Sequence, residues 1–119
     1  MKVFRKDYLI DHQLIPNVTL ERNILAENKD PFLVSLVNLF HNESRIYFIM
    51  PYIPGGNLTY YHQCSKRFSE DVVKQYAVQI ILAIGDLHKR HIVYRDLKLE
   101  NIMMNHDGYL KLIDYGLSK

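Results

Sequence analysis

Apolar residues recur every three or four positions between Val73 and Leu87: Val73, Tyr76, Ala77, Ile80, Ala83, Ile84 and Leu87. That spacing places one apolar stripe on a helix, which we predict from Glu70 to about Arg90 with the stripe in the core. Ser69 is a good N-cap, Glu70 and Asp71 suit the positive helix start, and Lys89 and Arg90 suit its negative end. A shorter helix is predicted over Asn17 to Ala26, with Leu20, Ile24 and Leu25 apolar and Glu21 beside them. Pro16 precedes it favourably, and Pro31 ends any continuation. Val3-Phe4 reads as a short strand. Leu33 to Phe40 and Arg45 to Met50 read as two more, joined by the turn His41-Asn42-Glu43-Ser44. Pro51, Pro54, Gly55 and Gly56 make an irregular connector, the best candidate for a hinge, before a short helix near Leu58 to Gln63. After the long helix, Ile92-Val93-Tyr94 leads into a polar loop from Arg95 to Asn101. Ile102-Met103-Met104 and Tyr109 to Ile113 then flank Asn105-His106-Asp107-Gly108, where Gly108 can supply the positive φ of a tight hairpin.

Composition changes this picture little. The chain has 119 residues, enough for at most one domain, and a formal net charge of +2. The basic residues are scattered, which argues against a nucleic-acid partner held by charge. Single Cys64 cannot close an internal disulfide, and the six histidines show no spacing suited to a metal. The longest apolar run, within Val78 to Ile84, is too short to cross a membrane, and the first residues carry no signal-peptide pattern. A cytoplasmic or nuclear setting is expected.

The strongest chemical signal is Tyr94-Arg95-Asp96-Leu97-Lys98-Leu99-Glu100-Asn101, with Asp114-Tyr115-Gly116 beginning thirteen positions after Asn101. Chance occurrence of Arg-Asp-Leu-Lys-x-x-Asn is below about one in a million per starting position at equal residue frequencies. Phosphoryl transfer explains the combination. Magnesium on a triphosphate needs hard oxygen ligands, which Asn101 and Asp114 can supply. Asp96 can accept a hydrogen bond from an incoming hydroxyl, and Lys98 adds positive charge beside the γ-phosphate.

These residues resemble the catalytic loop and metal-binding triplet of eukaryotic protein kinases. Lysine two residues after Asp96 is the serine/threonine-type pattern. Tyr94, Pro31-Phe32-Leu33-Val34 and Arg67-Phe68-Ser69-Glu70 look like the AGC group, which includes the cyclic-nucleotide-dependent kinases and protein kinase C. The resemblance implies an α+β, two-lobe kinase fold present in part. Residues 1–50 would belong to the N-lobe, 51–57 to the hinge and 58–119 to the C-lobe. It implies ATP and Mg2+ as cofactors and a protein substrate with a Ser or Thr acceptor. It assigns Asp96 and Lys98 to catalysis and Asn101 and Asp114 to the metal. Lys2 would contact the α- and β-phosphates and pair with Glu21. Met50, Pro51 and Ile53 would receive adenine, with Met50 as gatekeeper and Met103 covering its lower face. Leu25, Leu36, Tyr94 and Tyr115 would form an apolar spine.

Several departures qualify that reading. Tyr115 stands where phenylalanine is usual, and its hydroxyl needs a polar partner if buried. Asn57 stands where basophilic members carry glutamate; it can bond a ribose hydroxyl but cannot pair with a substrate arginine. Glu100 remains, so a preference for basic substrates is expected to survive in part. A Gly-rich phosphate loop, an activation loop and the later C-lobe helices lie outside this stretch, as would any regulatory domain or subunit. The chain by itself is therefore expected to expose apolar faces and to be inactive. The alternative is a truncated or pseudokinase-like module with a binding or regulatory role.

Overall fold

The computed structural model describes residues 1–119. It begins with strand β1 (Lys2–Arg5), helix α1 (Lys6–Asp11) and helix α2 (Ile15–Glu27). Strands β2 (Asn38–His41) and β3 (Arg45–Ile49) complete an antiparallel sheet in the order β1-β3-β2. Helices α3 (Leu58–Ser65) and α4 (Glu70–Lys89) follow, and the hairpin β4 (Ile102–Met104) and β5 (Leu110–Leu112) comes last. The arrangement is the expected α+β one: a small sheet with α2 against it, a connector, and a largely helical part.

Alternation on β1 turns Lys2 and Phe4 inward, with Lys2 opposite Phe48 in the register and Phe4 edge-on to the Phe48 ring at 5.0 Å. On α2 the buried residues are Val18, Glu21, Ile24 and Leu25, one helical face with a carboxylate in its middle. Pro16 lies inside the first turn of α2 rather than before it, because the helix starts two residues earlier than its sequence suggested. Helix α1 was not anticipated. No side chain caps its start, and its one buried residue is Leu9.

The strand predicted over Leu33 to Phe40 forms only from Asn38. The backbone of the preceding segment is bonded elsewhere: Val34 N–H to Leu112 O at 3.0 Å, Leu36 N–H to Leu25 O at 2.9 Å and Val37 N–H to Ile49 O at 2.7 Å. Leu33 and Val34 are buried all the same, stitching the sheet-bearing part to β5.

The long helix forms as expected, with the Ser69 hydroxyl accepting from Val72 N–H at 3.4 Å. The apolar stripe is less uniform than predicted. Ala83 and Leu87 are fully buried, and Tyr76, Ile80 and Ile84 pack against the core, but Val73 is exposed. On the opposite side Val78, Ile81 and Leu82 are exposed too, so α4 is apolar on more than one face. Gly108 does take a positive φ, +81°, in the β4–β5 turn. The connector is pinned to β4 by Gly55 N–H to Met104 O (3.0 Å) and Met104 N–H to Gly56 O (2.8 Å). A Cβ at Gly55 would lie 2.4 Å from Met104 O, so only glycine permits that approach.

Candidate active site

The connector, β1, α2 and the β4–β5 hairpin enclose a cleft of about 500 Å³, within the range of small-molecule sites. Met50, Pro51, Ile53 and Met103 line it together with Lys2, Glu21 and Asp114. Seven of the residues singled out from sequence therefore meet around one cavity. The Pro51 carbonyl and the Ile53 N–H carry no intramolecular hydrogen bond. Val34 and Ile113 also line the cleft. Sequence reasoning missed both; the only available signal was their place beside an apolar run and beside Asp114.

At one end of the cleft the Lys2 ammonium bridges two carboxylates. Its Nζ lies 2.6 Å from Glu21 Oε1 and 2.8 Å from Asp114 Oδ1. Glu21 is 2% exposed, so its charge depends on that partner. Burial opposes the charge on Lys2, but the hydrogen bonds to Asp114 and Glu21 outweigh it and raise the pKa. Glu21 also moves up, because burial exceeds what Lys2 returns. Asp114 moves down: burial opposes its charge, but Lys2 and the Gly116 N–H favour it more strongly.

The loop after α4 organises a second carboxylate. Asp96 Oδ2 accepts from Lys98 Nζ and from Asn101 Nδ2, both at 2.8 Å, and Asn101 Nδ2 also reaches the Asp96 carbonyl at 3.0 Å. Both side-chain contacts fall on one oxygen, so Asp96 Oδ1 is open. The hydrogen bond to Asp96 raises the pKa of Lys98. Asn101 is buried at the end of a single 3-10 turn, which fixes its amide. Its donor nitrogen is committed to Asp96, leaving Oδ1 as an acceptor.

Arg95 and Asp114 both have positive φ, +64° and +62°. Such conformations are costly for non-glycine residues and persist when neighbours hold them. Arg95 Nε donates to Leu117 O, and Val93 and Lys119 exchange two backbone hydrogen bonds of 2.8 and 3.0 Å. The loop and the segment after Asp114 are thereby tied side by side. Tyr94 and Tyr115 are buried edge-to-face with centroids 6.0 Å apart, Leu25 is buried, and Leu36 packs on the same core.

Two predicted residues stand apart from these clusters. Asn57 is the N-cap of α3, its Oδ1 accepting from Tyr60 N–H at 3.2 Å. Half of its expected polar capacity is thus spent on a helix. Glu100 is exposed and makes no ion pair.

The donors fit a divalent cation shared with phosphate. Asn101 Oδ1 and Asp114 Oδ2 are hard oxygens with no protein partner. No group of three or more His, Cys, Asp or Glu side chains forms a self-sufficient cage. Mg2+ is commonly held in that way, by one or two protein oxygens plus substrate phosphates.

The structure thus brings together a cleft between a small sheet and a helical part, a lysine–glutamate pair at one end of it and an Asp–Lys–Asn loop. Residues 1–119 match the protein kinase domain model, and the chain belongs to that family. It is 41% identical over its full length to a RAC family serine/threonine-protein kinase homolog of Dictyostelium discoideum, covering 27% of that protein. It is 44% identical to the eye isozyme of protein kinase C of Drosophila melanogaster, covering 17%. Identity to the atypical protein kinase C of the same fly is 39%, covering 20%. The chain thus spans about a quarter or less of these relatives, all AGC-type serine/threonine kinases.

Proposed function

We propose that the full-length protein is a serine/threonine kinase that transfers the γ-phosphate of ATP to Ser or Thr hydroxyls of protein substrates. The observation that carries this is the divided Asp96 carboxylate: Oδ2 is fixed by Lys98 and Asn101, and Oδ1 is open to an incoming hydroxyl. A carboxylate held in one orientation can accept that hydroxyl's hydrogen and aim its oxygen at phosphorus. Lys98 offers positive charge where negative charge moves during transfer. Lys2, fixed by Glu21, faces the cleft where the α- and β-phosphates would lie. Mg2+, held by Asn101 and Asp114, would neutralise phosphate charge. Pro51 O and Ile53 N–H offer one acceptor and one donor to adenine, between Met50 and Met103.

Substrate choice follows from Glu100 and Asn57. Exposed Glu100 can meet a basic residue of a protein substrate. Asn57 has no charge to do so, and its Nδ2 is left for a ribose hydroxyl. Basic residues should therefore help the substrate modestly. A reducing setting, cytoplasm or nucleus, accords with the exposed free thiol of Cys64. Regulatory domains or subunits would come from outside this stretch.

The test is transfer from radiolabelled ATP by the purified full-length protein to a peptide array with Ser, Thr or Tyr acceptors. Labelled Ser and Thr peptides with unlabelled Tyr peptides are expected. Labelling of Tyr peptides alone, or of none, would contradict the proposal.

A further inference from the structure

The Tyr115 side chain is 1% exposed, yet it carries a hydroxyl. That hydroxyl lies 3.2 Å from Val34 O and 3.2 Å from Leu112 O. Leu112 O already accepts from Val34 N–H. Val34 O has no other donor, so without Tyr115 it would be unpaired. The residue just before Tyr115 is Asp114, held at φ +62° with its side chain half exposed. A strained aspartate on a turn needs an anchor nearby. On one side the Tyr94 hydroxyl donates to Ile113 O. On the other, the Tyr115 hydroxyl reaches a segment 81 residues away in the chain. One phenolic hydroxyl therefore grips the backbone just before Asp114, and the other ties the residue just after it to Val34.

We propose that the Tyr115 hydroxyl is a positioning group. It ties the Asp114 turn to Val34 and so holds the Asp114 carboxylate facing the cleft, ready for the cation. The inference rests on the proposed kinase function and deepens it: this site binds the metal more readily than it would with phenylalanine at position 115. The bond's second end is Val34, which itself lines the cleft.

The test uses the full-length protein, its Tyr115→Phe variant and a control, Leu110→Ala, which opens a hole in the buried hairpin away from Asp114. Binding of a non-hydrolysable ATP analogue is measured by calorimetry in EDTA and across a Mg2+ titration. Tyr115→Phe should need about 3- to 10-fold more Mg2+ for half-maximal enhancement, the equivalent of one hydrogen bond. Its affinity for the analogue in EDTA should not change. Leu110→Ala should lower the melting temperature and leave the Mg2+ midpoint alone. Tyr94→Phe, which releases Ile113 O on the other side of the turn, should shift the midpoint in the same direction. A lower melting temperature with an unchanged Mg2+ midpoint in Tyr115→Phe would show a merely structural hydroxyl and overturn the inference. Analogue binding by the unaltered protein that ignores Mg2+ altogether would instead overturn the proposed function, and the inference with it.

Discussion

Asp96 and Asp114 are both candidate catalytic carboxylates, but they are wired differently. Asp96 is held by Lys98 and Asn101, two and five residues along the chain. Asp114 is held by Lys2, 112 residues away, and its turn is anchored through Tyr115 to Val34. The first is a local device that one loop can build. The second exists only when the sheet, α2 and the hairpin are all in place. The Asp96 carboxylate is therefore oriented chiefly by its own loop, whereas the Asp114 carboxylate reports on the packing of the whole cleft.

The largest expected effect isolates the local device. Asp96→Ala in the full-length protein should lower phosphoryl transfer by about 10²- to 10⁴-fold, the usual scale for a proton-accepting group. Nucleotide affinity and melting temperature should stay near their original values; a matching loss of nucleotide affinity would break the distinction between the two aspartates. Lys2→Met attacks the long-range device. It leaves Glu21 buried without its partner and frees Asp114, so both stability and function should suffer. We expect transfer to fall about 10²-fold, on the scale of losing one preorganised charge. Stability should fall by about 1–3 kcal/mol, less than for a fully buried pair because the Lys2 side chain is 31% exposed. Denaturant unfolding showing no change would mean that Glu21 finds another partner.

A smaller effect concerns substrate choice. Glu100→Gln should reduce the advantage of basic peptides over neutral ones by less than about 10-fold, as expected for one exposed ion pair. Asn57→Ala should leave that ratio alone, and a peptide array reads both. The smallest effect lies far from either carboxylate. Ser69→Ala removes the N-cap of α4 and should cost about 1 kcal/mol of stability with kinetics unchanged.

The same division explains what the sequence revealed. The Ser69 cap, the Gly108 turn and the Asp96–Lys98–Asn101 loop depend on neighbours within a few residues, and each was legible. Lys2 and Glu21 came from family resemblance, since nothing local marks a lysine near the start of the chain as functional. Leu33 to Val37 looks like a strand because it is apolar, yet its backbone is bonded to Leu112, Leu25 and Ile49, partners that no local pattern names. Helix α1 lacks a capping side chain and exposes most of its surface, so neither cue for a helix was present. From sequence Asn57 suggested only a ribose contact; its capping role is visible only once α3 is seen to begin at Leu58. The need of the Tyr115 hydroxyl for a partner was legible, but that partner's identity was not.

The central claim is that one cation is clasped from positions 101 and 114 while Asp96 turns an open oxygen toward the substrate hydroxyl. A crystal structure of the full-length protein with a non-hydrolysable ATP analogue, Mg2+ and a Ser-containing peptide tests it most directly. The account predicts Asn101 Oδ1 and Asp114 within about 2.0–2.1 Å of Mg2+, and Asp96 Oδ1 within about 3 Å of the serine hydroxyl. Mg2+ bound by neither side chain, or Asp96 turned away from the hydroxyl, would contradict it.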